Sequence, residues 1–116
     1  MIRLKFKVDL YEVSVIIYVL DNMSDLESIV LKKTKTKIDT DHVLGITFAW
    51  GDQEYVVAFE RDKLSHNLIN HELFHLTKSI TEHIDIDDEE SQAWLMGFLS
   101  ENVYRLLKKK GFTIEK

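Results

Sequence analysis

Apolar and polar residues alternate at the start of the chain. Leu4, Phe6 and Val8 take turns with Lys5, Lys7 and Asp9, the period of a half-buried strand. From Tyr11 to Leu20 the pattern changes to a nearly unbroken run rich in Val, Ile and Tyr, which predicts a second, more fully buried strand. Ser24 and Glu27 form a capping-box pattern and predict a short helix to about Lys33, followed by a polar loop over Lys35–Asp41. Ile46, Phe48 and Trp50 alternate with Thr47 and Ala49, and Tyr55, Val57 and Phe59 alternate with Val56 and Ala58. Gly51-Asp52 lies between these runs, so the segment reads as a hairpin. A helix is expected from about Ser65 to Glu82. The connection HIDIDD follows, and a long helix opens at the Asp87/Glu90 cap pattern, running to about Lys109 with Gly111 as its stop. This order predicts one α+β domain over residues 1–116, with a small antiparallel sheet and three helices packed on one face.

Composition narrows the possibilities. The 116 residues are 45% hydrophobic and 30% charged, ordinary values for a single globular domain. The net charge of −5 argues against nucleic acid as a partner. The basic runs at Lys32–Lys37 and Lys108–Lys110 are short and read as solvated faces or helix ends. There are no cysteines, which excludes disulfides, thiolate metal sites and thiol catalysis. The stretch Val13–Leu20 is too short to span a bilayer and lacks a signal-peptide cleavage pattern, so neither a membrane segment nor a secretory leader is expected.

The chemistry concentrates in residues 71–75, His-Glu-Leu-Phe-His. Two histidines four apart on a helix project from one face, where both imidazoles can hold one zinc ion, and Glu72 between them is placed to act as a base on water. On a helical wheel Ile69, Leu73, Leu76 and Ile80 form the core stripe, and His71 and His75 fall nearly opposite with Asn67 and Lys78. A catalytic zinc needs a third protein ligand. A histidine six residues past His75 would serve, but Lys78 and Thr81 stand where that longer motif has glycine and histidine. Glu82 lies ~10 Å further along the helix, too far while the helix is intact. His83, Asp85, Asp87, Asp88, Glu89 and Glu90 remain as candidates by position. Glu90 shares a wheel face with Ala93, Trp94, Gly97 and Glu101, and the small Ala93 and Gly97 would let the last helix approach the histidine helix closely. Equally, Glu90 suits the N-terminus of that helix as a favourable charge on its dipole.

H-E-x-x-H followed on the next helix by E-x-x-A, here Glu90-Ser91-Gln92-Ala93, resembles the gluzincin arrangement of zincin metallopeptidases and the ImmA/IrrE-like peptidases. HELFH with EESQAWLMGF, preceded by the strand Tyr55–Phe59, is similar to small zincin-like proteins encoded by phages and prophages, over residues 44–107. Phe74 departs from the ImmA-like pattern, which often has glycine there. The resemblance implies a minimal zincin-like fold with Zn2+ held by His71, His75 and Glu90. It implies peptide-bond hydrolysis by zinc-activated water with Glu72 as general base. An extended peptide or protein substrate would pair with an edge strand, for which the hairpin residues Trp50 and Tyr55 are the candidates. Tyr104 is on the Glu90 face but ~21 Å further along the same helix, too far to reach the same zinc, and Tyr55, His66 and His83 are read as structural or surface groups, which leaves the stabiliser of the transition state unassigned. The alternative implied is a non-catalytic zincin-fold module with a structural or interaction role and phage or host protein partners. The expected location is the bacterial host cytoplasm or the virion.

Overall fold

The computed structural model describes residues 1–51 and 53–114. The chain forms β1 (Ile2–Val8), β2 (Val13–Leu20), α1 (Ser24–Thr34), β3 (Gly45–Ala49), β4 (Glu54–Glu60), α2 (His66–His83) and α3 (Glu89–Lys109). Among the described residues no helix is long and apolar enough to cross a membrane.

The four strands make one sheet in the order β1-β2-β4-β3. It is mixed where an antiparallel sheet was expected. β2 and β4 run parallel at its centre, Val15 opposite Tyr55 and Val19 opposite Phe59, while β1 and β3 pair antiparallel on the outside. The reason is visible in the central strands. β2 is buried at nearly every position and β4 from Tyr55 to Phe59, and strands apolar on both sides need cover on both faces.

Helices supply that cover, and they do so from both sides, which corrects the expectation of one helical face. Val15, Ile17, Val19, Tyr55, Val57 and Phe59 pack with α2 and α3 through Ile69, Leu73, Leu76, Ile80, Leu95, Leu99, Val103 and Leu107. Ile16, Tyr18, Leu20, Val56 and Ala58 face the other way and pack with Leu26 and Val30 of α1.

Several ends differ from the sequence reading. Asp9–Tyr11 is a single 3-10 turn closed by Glu12 in the left-handed region (φ 55°), so β2 starts at Val13 and not at Tyr11. Ser24 and Glu27 do not form a capping box. Glu27 instead accepts hydrogen bonds from the Thr40 hydroxyl (2.6 Å) and backbone N–H (3.2 Å), tying the loop after α1 to the helix. Ser65 caps α2 by accepting from the Leu68 N–H at 3.0 Å. Asp88, and not Asp87, caps α3 by accepting from the Ser91 N–H at 2.9 Å, and hydrogen bonding from the Ser91 side chain and backbone lowers the Asp88 pKa. Gly111, with φ +88°, takes the left-handed conformation that ends α3. The Gly51-Asp52 turn lies partly outside the described residues, at Asp52.

Candidate metal centre

α2 is amphipathic as its sequence requires. Ile69, Leu73, Leu76 and Ile80 have no exposed surface, and His71 and His75 are exposed on the far side. Four residues is just over one turn, so the two imidazoles stack one above the other. Their Nε2 atoms approach to 3.2 Å, with the rings at 81°. Two neutral imidazoles can meet this way by sharing one proton, or by turning both lone pairs toward a cation.

A tetrahedral zinc with Zn–N bonds of about 2.0–2.1 Å sets its two nitrogens about 3.3 Å apart. The observed 3.2 Å separation is close to that value. Two of the three protein ligands that a catalytic zinc needs are thus at a suitable distance, and among the described residues no third His, Asp or Glu joins them.

Glu72 stands beside the pair, with Oε2 3.9 Å from His71 Nε2. Its side chain is buried, only 5% exposed, because β3 crosses directly beside it. The Thr47 hydroxyl donates to Glu72 Oε1 at 2.8 Å and also lies 3.1 Å from the Glu72 carbonyl oxygen. One carboxylate oxygen is thus anchored and the other is left on the histidine side. Gly45 makes this approach possible. A Cβ there would stand 3.2 Å from Glu72 Cγ and 3.1 Å from a Leu68 methyl. Thr47 and Gly45 belong to no motif in the sequence, although the alternation of β3 puts Thr47 on the opposite face from Ile46 and Phe48.

This anchoring carries a measurable consequence. Thr47→Val keeps the shape and removes the hydroxyl, leaving a buried carboxylate without its donor. A hydrogen bond to a charged group contributes about 1.5–3 kcal/mol, so urea denaturation of Thr47→Val is expected to show a loss of that order. A midpoint unchanged from the parent would show that the bond contributes nothing.

Between α2 and β3 runs an open groove. One stretch of about 590 Å3 is lined by Thr47, His71, Glu72, His75, Lys78 and Glu82. A second of about 560 Å3 continues toward His42 and Asn67, and the two share Gly45, His71 and Glu72. The histidines and Glu72 therefore stand midway along a channel whose opposite wall is an edge strand.

The other residues singled out in the sequence fall elsewhere. Glu90 is exposed, as are Ala93, Trp94, Gly97 and Glu101, and nothing lies within 4 Å of a Cβ built on Gly97. That face of α3 is its solvent face. The side turned to α2 and the sheet is Leu95, Leu99, Val103 and Leu107, and Leu99 lies nine positions from Glu90, about half a turn away. The structure does not bring Glu90 to His71 and His75. Among the described residues no group of three His, Asp or Glu side chains is placed to hold a metal.

Tyr55 and Trp50 do not line the groove either. Tyr55 is buried beneath α2 and α3, where desolvation raises its pKa, and its ring packs edge-on against His83. Trp50 is on the α1 side of the sheet, near Tyr18 and Phe48, and its Nε1–H donates to Glu54. That bond, offset by burial and aided by Lys5 and Lys33, lowers the Glu54 pKa. Tyr104 joins His66 at the start of α2, its hydroxyl 3.0 Å from Nδ1. No family model, curated protein or solved structure matches the chain.

Proposed function

We propose that the chain is a zinc-dependent hydrolase of peptide bonds, of the zincin type. The observation that carries this reading is the 3.2 Å approach of His71 and His75 Nε2, with Glu72 held beside them. The antiparallel edge strand next to the histidine helix supports the same reading, since it forms a wall along which an extended chain can lie. His71 and His75 would supply two of the ion's ligands. Zinc supplies Lewis acidity, polarising a carbonyl and making water acidic near neutral pH.

The protein's own groups do the rest. Thr47 fixes one Glu72 oxygen, so the carboxylate keeps its other oxygen toward the histidines. From there Glu72 takes the proton of the attacking water and returns it to the departing amine. Gly45 and Thr47 keep β3 close to the carboxylate, so a chain lying along β3 passes beside the base. Glu90 has no part in this version of the site.

A non-catalytic interaction module of similar fold is favoured by one feature, the exposure of Phe74 (56%) and Trp94 (46%). Incubation with a peptide library, with and without a chelator, decides between them. Cleavage that stops with chelator and returns with zinc is the expected result. Stoichiometric zinc without cleavage of any peptide would establish the module instead.

A further inference from the structure

The two edges of the sheet are built differently. β1 carries Arg3, Lys5 and Lys7, charges of the kind that keep an exposed edge from pairing with another chain. β3 reads Gly-Ile-Thr-Phe-Ala, with no charge and no proline, and among the described residues its one strand partner is β4. Its outer edge is therefore an unguarded template for an added strand.

Behind that edge, on the α1 side of the sheet, lies a mostly apolar cavity of about 450 Å3. Ile46, Phe48 and Trp50 form its floor, and Val30, Thr34 and Ile38 its far wall. Its volume suits a bound apolar group. Ile46 borders both this cavity and the histidine groove, so the two are separated by the thickness of one strand.

We propose that this cavity is a side-chain subsite of the histidine groove, and that the ligand is an extended peptide with apolar residues two apart. Successive side chains of a strand point to opposite faces, and residues paired across neighbouring strands share a face. Thr47 faces Glu72, whereas Ile46 and Phe48 face α1. A peptide residue opposite Thr47 then lies over the Glu72 side. The residues before and after it, opposite Ile46 and Phe48, enter the apolar cavity. The middle residue meets the polar wall of His71, His75 and Lys78. The selected pattern is apolar–polar–apolar. This rests on the proposed function for the identity of the groove, but it concerns which chains enter and not whether zinc is held.

The test uses two capped nine-residue peptides of identical composition, a threonine and lysine background with two leucines. In one the leucines are two apart, and in the other adjacent. The chain has two tryptophans, so the Trp94→Phe protein leaves Trp50, in the cavity floor, as the reporter of binding. Measured without metal, the two-apart peptide is expected to bind about tenfold more tightly, the effect of burying one more leucine side chain. Thr36 is exposed at the cavity rim, and Thr36→Phe, which narrows the cavity from a position outside the core, is expected to remove the preference. Equal affinities, no binding, or a preference that survives Thr36→Phe would each overturn the subsite. Zinc content is measured separately on zinc-equilibrated portions of the same protein. Zinc bound with no spacing preference refutes the subsite alone, and a preference with no zinc refutes the metal reading alone.

Discussion

Glu72→Gln is expected to lower peptide hydrolysis by about 10²- to 10⁴-fold, the usual contribution of a positioned general base, while zinc stays bound. The substitution is nearly isosteric. The Gln amide oxygen can still accept from the Thr47 hydroxyl, which now donates to Glu72 Oε1 at 2.8 Å. Glu72 is 5% exposed and among the described residues its carboxylate carries no other hydrogen bond, so the change removes the ability to accept a proton and little else. The measurement is turnover of a cleaved peptide by both proteins, each loaded with zinc. A Glu72→Gln protein as fast as the parent would remove Glu72 from the chemistry. Gly45→Ala works on the same group by position: a Cβ 3.2 Å from Glu72 Cγ pushes the carboxylate from its place without altering its charge.

Phe59→Ala is expected to destabilise the fold by about 3–5 kcal/mol. Phe59 has no exposed surface and lies where β4 meets four elements: Val19 of β2 is opposite on one side, Gly45 of β3 on the other, and α2 and α3 cover its ring. Gly45 leaves no side chain to move into the space, so the cavity stays. Domains of this size have total stabilities of about 5–15 kcal/mol, and the variant should unfold at much lower urea concentration. Phe74→Ala is the matched control. Phe74 is 56% exposed on α2, and its loss should change stability by less than about 0.5 kcal/mol. Equal effects from the two substitutions would contradict the packing described.

Burial explains what could be read from the sequence and what could not. The strong periodic signals held: the stripe Ile69, Leu73, Leu76 and Ile80 is fully buried, and the apolar run of β2 is a central strand. Pairing direction was not legible, because alternation within a strand says which face is inward and nothing about the neighbour's direction. α3 offered two faces, one small (Ala93, Gly97) and one large (Leu95, Leu99, Val103, Leu107). The larger apolar area won the interior and left Glu90 in solvent. At the site, the sequence placed the histidines and Glu72 on one helix. It could not show that β3 returns across that helix, and so Thr47 and Gly45 went unseen. Ser24 and Glu27 matched a capping pattern, yet Glu27 is taken by Thr40, thirteen residues away.

His71 and His75 are proposed to bind zinc. The deciding measurement is zinc content per chain in the purified, zinc-equilibrated protein, beside His71→Ala, His75→Ala and Glu90→Ala. Both histidines are exposed, so their removal leaves the core untouched. One zinc per parent chain is expected, lost in either histidine variant and retained in Glu90→Ala. A parent without zinc, or histidine variants that keep it, would show that the two histidines do not hold the ion.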